Sequence, residues 1–185
     1  MPRFASRRAM NEKPAIKFRS MEPGDGPDIR ALYDLVQTAF ARESGDEAVI
    51  AFVRSHIAEV FASDLADPWG HYSMPGHSYW LAEVNEELVG MAGVERWPGV
   101  PGVARLRHVM VDPAWQRNGI ASTILGAAET WCAEHGYNAL RLATTHLNVV
   151  ALGIYRGRGY AEVGREPGRV ATTFVMEKHL TPQEP

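Results

Sequence analysis

The sequence predicts a mixed α/β (α+β) sheet. One β-favouring run precedes two helical stripes before position 62, further β-favouring runs fill 78–111, and a long apolar helical stripe follows at 120–135. After it the pattern reads strand, helix, strand, strand. Gly- and Pro-containing breaks at 23–26, 98–102 and 113–119 separate these runs. The chain has 185 residues, 45% of them hydrophobic, enough for one well-packed core and too few for two large ones.

Taken in order, residues 1–14 (MPRFASRRAMNEKP) carry Arg3, Arg7 and Arg8 without apolar periodicity. They read as a mobile basic tail, or as an over-long start with Met10 or Met21 as initiator. A domain is expected over 15–181. Ile16-Lys17-Phe18-Arg19 alternates as a first strand, and Glu22-Pro23-Gly24-Asp25 turns it. Ile29, Leu32, Leu35, Val36, Ala39 and Phe40 form the stripe of a helix over 28–41. Asp46 is the expected N-cap of a second helix carrying Val49, Phe52, Val53, Ile57, Val60 and Phe61.

Residues 63–78 (SDLADPWGHYSMPGHS) have no clean period and read as a long loop, a common place for function. His71, Tyr72 and His77 are expected either to line a substrate pocket or to be ordinary surface residues. No metal site is expected, because no Cys or carboxylate cluster accompanies the two histidines. Residues 78–84 and 88–97 form a hairpin turned by Asn85-Glu86-Glu87, and a further strand covers 103–111. The central helix closes at His135-Gly136. A buried strand over 139–145, a short helix over 148–156 and strands over 160–164 and 170–177 complete the chain.

Composition narrows the function. Net charge is −3, with 19 basic and 22 acidic residues interspersed, so no basic surface points to nucleic acid. No apolar run approaches the ~20 residues that cross a bilayer. Cys132 is the only cysteine, which excludes an internal disulfide and agrees with a reducing, cytoplasmic compartment. Inside the central helix it reads as a small core residue rather than a nucleophile.

The chemistry concentrates at Gln116-Arg117-Asn118-Gly119-Ile120-Ala121, between the 103–111 strand and the central helix. A tight turn into a helix start offers unpaired N–H groups and a partial positive charge, which together cradle an anion such as phosphate. Arg117 adds a fixed cation, and Gly119 and Ala121 keep the approach open.

Val109-x-Val111-x-Pro113, then Gln116-x-x-Gly119-x-Ala121, then Asn148-x-x-Ala151-x-x-x-Tyr155-x-x-x-Gly159-Tyr160 resembles the GNAT acetyltransferase superfamily from about Ser78 to Leu180. Ala121 stands where the family often has glycine. The resemblance implies a central, twisted, mostly antiparallel sheet flanked by helices, acetyl-coenzyme A as co-substrate, and acetyl transfer to a primary amine by direct attack. It places the pyrophosphate on Gln116, Arg117, Asn118, Gly119, Ile120, Ala121 and Ser122. The strand residues Val109, Met110 and Val111 face the pantetheine arm, with the Val109 amide on the acetyl carbonyl. Asn148 contacts the pantetheine amides, and Tyr155 protonates the departing thiolate. For the general base the expected order is Glu95, then His108 and Glu83, with ordered water as an alternative. Trp69–Val94 is also similar to a small group of membrane-linked acetyltransferases of cysteine conjugates and lysine side chains, whose hydrophobic span this chain lacks.

The acceptor is expected to be a small-molecule or peptide amine, and a homodimer pairing through the final strand is possible as in many relatives. A catalytically silent acyl-coenzyme A-binding module is the main rival. A nucleotide-binding protein using the same loop is a second, disfavoured by the absence of G-x-x-x-x-G-K-S/T.

Overall fold

The structure is a computed structural model that describes residues 15–181; the expected basic tail at 1–14 lies outside the described residues. Seven strands form one sheet in the order β1-β2-β3-β4-β5-β7-β6. They are β1 (Lys17–Ser20), β2 (Ser78–Val84), β3 (Glu87–Arg96), β4 (Val103–Val111), β5 (Ala139–Thr145), β6 (Ala161–Glu166) and β7 (Thr173–His179). Every neighbouring pair is antiparallel except β4–β5. The helices are α1 (Gly26–Ser44), α2 (Glu47–Phe61), α3 (Pro68–Tyr72), α4 (Ile120–Glu134) and α5 (Val149–Gly157). This is the mostly antiparallel, helix-flanked sheet expected from the sequence.

The local reasons match the residues. Asp46 caps α2 by accepting from Ala48 N–H at 2.7 Å and Val49 N–H at 3.4 Å. Gly45 ends α1 in the left-handed region at φ 63°. The β2–β3 turn needs only Asn85 and Glu86, both at positive φ, so Glu87 joins β3 rather than the turn. The 63–78 stretch is not all loop. Pro68 opens the short helix α3 and the Asp67 carboxylate accepts from Gly70 N–H, a turn that apolar periodicity cannot reveal in five residues.

On one face, Ile120, Ile124, Leu125, Ala128 and Cys132 of α4 pack on Val94, Ala104, Leu106 and Leu140 of the sheet. Gly90 lets α4 come close, since a Cβ there would stand 2.5 Å from Ile120 Cγ2. On the other face, α1 and α2 bring Ile29, Leu32, Tyr33 and Val60 onto Tyr79, Leu81 and Met91.

Two departures shape the site. β4 and β5 are registered only from Val103 to Arg105 against Ala139 to Arg141, and they part beyond that point. Near His108 the β3–β4 register shifts, and His108 has φ 53°. This bulge brings Arg107 and His108 to the same carboxylate, Asp64, whereas simple alternation would send them to opposite faces. The final strand also differs in its setting. β7 is flanked by β5 and β6 along its length, so it has no free edge for a partner subunit, and β6 is the edge strand instead.

Candidate active site

Where β4 and β5 part, a continuous cleft of about 800 Å³ opens. One half is walled by the α4 N-terminus and α5, the other by α1 and α2, with β4 between them. Among the sequence-predicted residues, His108, Val109, Met110, Val111, Gln116, Arg117, Gly119, Ile120, Ala121, Ser122, Asn148 and Tyr155 all line it.

The loop into α4 is held open by its own side chains. The Asp112 carboxylate accepts from Ala114 N–H at 2.8 Å, and Asn118 Nδ2 donates to the carbonyls of Trp115 at 3.0 Å and Gln116 at 3.2 Å. The Asn118 side chain is therefore a brace of the loop, while its backbone N–H is left free. Arg117 and Gly119 both take positive φ, at 61° and 82°. Among the described residues, no backbone N–H from Arg117 to Ser122 meets a protein acceptor, and the first bonded amide is Thr123, to Gly119 C=O at 3.0 Å. Six free amides therefore run into the helix start, five of them on residues that line the cleft, beside a guanidinium. No protein atom lies within 4 Å of where a Gly119 Cβ would sit.

Across the cleft, Asn148 caps α5, its Oδ1 accepting from Ala151 N–H at 3.2 Å. That leaves its Nδ2 group as the donor for a ligand carbonyl. Tyr155 is buried against Tyr160, with ring centroids 5.7 Å apart, and desolvation raises its phenol well above the ordinary value. Such a phenol stays protonated at neutral pH, as an acid must. Cys132 is fully buried, and burial pushes its thiol up to about 12, so it supplies no thiolate nucleophile.

The expected bases are placed differently. Glu83 lies on the far side of the sheet edge, paired with Arg19 and Lys17. Glu95 does not line the cleft; its carboxylate receives His71 Nε2 at 2.7 Å, Arg107 Nη1 at 3.3 Å and Arg105 Nη1 at 3.4 Å. His108 reaches the cleft but leans on Asp64, Nε2 to Oδ2 at 3.2 Å. Burial outweighs that carboxylate and holds its imidazole down to about 3, leaving it neutral and weakly basic.

Asp64, unremarked in the sequence, is the hub. It accepts from Tyr72 hydroxyl at 2.6 Å, Arg107 Nη2 at 3.1 Å and Ser63 hydroxyl at 3.0 Å. Burial opposes its charge, yet His108, Tyr72 and Arg107 outweigh burial and keep its pKa below the usual value. Tyr72 is buried in this assembly, His71 and His77 are half-buried at its margin, and none of the three lines the cleft. Folding also supplies the carboxylates that the sequence had not shown near His71, since Asp64, His71 and Glu95 place ligand atoms within 4.8 Å of one another. Arg107 already bridges both carboxylates and is the cation of that cluster.

The half of the cleft between the helices is walled by Tyr33, Gln37, Phe40 and Glu43 of α1 and by Phe52 and His56 of α2.

Among the described residues, no helix is long and apolar enough to cross a membrane. N-acetyltransferase 8B of Rattus norvegicus is 26% identical over 116 residues, 60% of this chain and 52% of that protein. N-acetylaspartate synthetase of Xenopus tropicalis is 24% identical over 131 residues, 70% of this chain and 44% of that protein. The chain spans about half the length of the curated relatives it matches. The crystal structure of PaiA N-acetyltransferase from Thermoplasma acidophilum in complex with coenzyme A superposes with a TM-score of 0.72 at 17% identity, covering 89% of this chain and 99% of that one. At that identity the likeness is one of fold. The acetyltransferase (GNAT) family profile matches residues 29–160, most of the chain and both walls of the cleft, and the chain belongs to that family.

Proposed function

We propose that this protein is an acetyl-coenzyme A-dependent N-acetyltransferase acting on a primary amine by direct attack. The observation that carries the reading is the run of unpaired amides from Arg117 to Ser122 opening into the same cleft as the Tyr155 phenol. The amides and Arg117 hold the pyrophosphate. The pantetheine arm lies in the gap between β4 and β5, where Asn148 Nδ2 and the strand amides of Val109 to Val111 meet its carbonyls.

In the reaction the amine lone pair attacks the thioester carbon, and the oxyanion is met by an N–H at the β4 bulge, that of Val109. Collapse breaks the C–S bond, and the sulfur takes the Tyr155 proton. The proton leaving the amine passes to His56 or to water. His56 lines the acceptor half, and desolvation lowers its imidazole, so it is neutral at pH 7 and able to accept. Glu95 serves in this reading as the anchor of Arg107 and His71 rather than as the base.

Gly119→Glu is expected to weaken acetyl-coenzyme A binding at least ~10-fold, because it forces a side chain into left-handed backbone and puts a carboxylate where the pyrophosphate sits. Calorimetric affinities of the two proteins check this, and an unchanged affinity contradicts the loop assignment. The reaction itself is tested by thiol release from acetyl-coenzyme A against a panel of primary amines. Amine-dependent release is expected; binding without release from any amine would mark a silent acyl-coenzyme A-binding module.

A further inference from the structure

The charge around Arg105 is incompletely matched. On β4, Arg105 and Arg107 both point towards the acceptor half of the cleft and line it. Arg107 is committed to two carboxylates, bridging Asp64 and Glu95. Arg105 has a single hydrogen bond among the described residues, Nη1 to Glu95 Oε1 at 3.4 Å, and that oxygen is shared with Arg107. The other Glu95 oxygen is taken by His71 at 2.7 Å.

The neighbouring strand adds to the excess. Arg141 is the registered partner of Arg105 across β4–β5, a like-charge juxtaposition that costs stability. Arg141 is committed to Glu177. The two guanidinium carbons lie 5.5 Å and 5.4 Å from the Trp97 ring, which holds them beside each other. Arg105 is thus a cation with most of its donors unused, its side chain 32% exposed at the edge of the cleft. Burial and the repulsion of Arg107 together lower its pKa, outweighing Glu95 and Asp64.

We infer that Arg105 binds a carboxylate of the acceptor, and that the substrate class is a primary amine carrying a carboxylate several bonds away. The inference rests on the acetyltransferase reading above and names the acceptor for that same cleft. The spacing sets the class. Arg105 is four residues from Val109 along β4, about 13 Å at ~3.3 Å per residue and somewhat less across the bulge. A carboxylate on the carbon that bears the amine falls short of Arg105, whereas one at the far end of a short chain reaches it. A planar carboxylate also fits the guanidinium fork with two parallel hydrogen bonds. Glu43, on the α1 wall, supplies the opposite charge for an incoming ammonium. Arg105 in this role is a specificity residue and takes no part in bond making.

The test compares 6-aminohexanoate with hexylamine, which match in chain length and differ in the carboxylate. Calorimetric binding to the protein and acetyl-coenzyme A-dependent thiol release are measured with wild type, Arg105→Gln and Arg105→Lys. The wild type is expected to favour 6-aminohexanoate at least ~10-fold in KM with little difference in kcat. Arg105→Gln is expected to bring the two amines together, and Arg105→Lys to restore part of the preference. No preference in the wild type, or a preference that survives Arg105→Gln, overturns the inference, with coenzyme A binding and thiol release on the same samples showing that the acetyltransferase reading stands. Loss of coenzyme A binding in the wild type overturns that reading and this inference with it. A stronger preference for 6-aminohexyl phosphate than for 6-aminohexanoate assigns the anion to phosphate and overturns the carboxylate class.

Discussion

Tyr155→Phe is expected to lower kcat by about 10²-fold or more while leaving acetyl-coenzyme A affinity close to wild type. The change removes one oxygen from a buried ring that still packs on Tyr160, so the wall of the cleft keeps its shape. In the proposed mechanism, what disappears is the proton for the departing sulfur, whose transfer matters only as the C–S bond breaks. Burial raises the phenol well above its ordinary value, so the wild-type group is fully protonated across the neutral range. Steady-state kinetics with a saturating amine, set beside calorimetric affinity, separate the two effects. An unchanged kcat removes Tyr155 from the mechanism, and a parallel loss of affinity makes it a packing residue.

Asp64→Ala is expected to destabilise the protein by about 3–5 kcal/mol. The substitution leaves Arg107 with only Glu95, releases the Tyr72 hydroxyl, and strands His108 in a buried setting. Each is a buried donor that loses its acceptor. Urea unfolding measures the loss, and a change below 1 kcal/mol contradicts the hub role of Asp64.

The same cluster predicts acid sensitivity through His108. Its folded pKa of about 3 lies below the ~6.5 of an unfolded histidine. Between those values the unfolded chain binds a proton that the folded chain refuses, so stability is fully present above about pH 6.5 and falls as pH falls towards 3. Asp64, also depressed, adds a loss only below the ordinary carboxylate range. Thermal unfolding at pH 7.5 and pH 5 is expected to show a lower Tm at pH 5, and His108→Gln is expected to make that drop shallower. An equal drop in the variant places the acid sensitivity elsewhere.

Much of the fold was legible because it depends on local pattern. The α4 stripe of Ile120, Ile124, Leu125, Ala128 and Cys132 is buried as its spacing requires, and Asp46 caps α2 as its position before an apolar stripe implies. The turn into α4 was also legible, since a turn, a glycine and a helix start are contiguous. The Asn118 side chain turns inward onto Trp115 and Gln116, a detail no spacing records.

The rest depends on contacts between distant residues. Glu95 reads as a polar residue near a strand end, but only the folded sheet brings Arg105, Arg107 and His71 onto it. Asp64 sits in a stretch without period, and its partners are 43 and 44 residues along the chain, at Arg107 and His108. The bulge at His108 breaks the two-residue alternation that strand reading assumes, so the side on which His108 lies could not be read from its neighbours. The acceptor walls from α1 and α2 look like any amphipathic helix until the parting of β4 and β5 shows which ends face a cavity. The order of the last two strands is likewise a matter of topology: β7 enters beside β5 and leaves β6 outside.

The most direct measurement is a calorimetric titration of the purified protein with acetyl-coenzyme A, repeated with coenzyme A and with a nucleotide that lacks the pantetheine arm. The account predicts saturable one-to-one binding of both coenzymes and weaker binding of the nucleotide, because the phosphate loop and the β4–β5 gap are filled together only by the full cofactor. Absence of coenzyme binding, or equal affinity for the bare nucleotide, would contradict the assignment of that cleft.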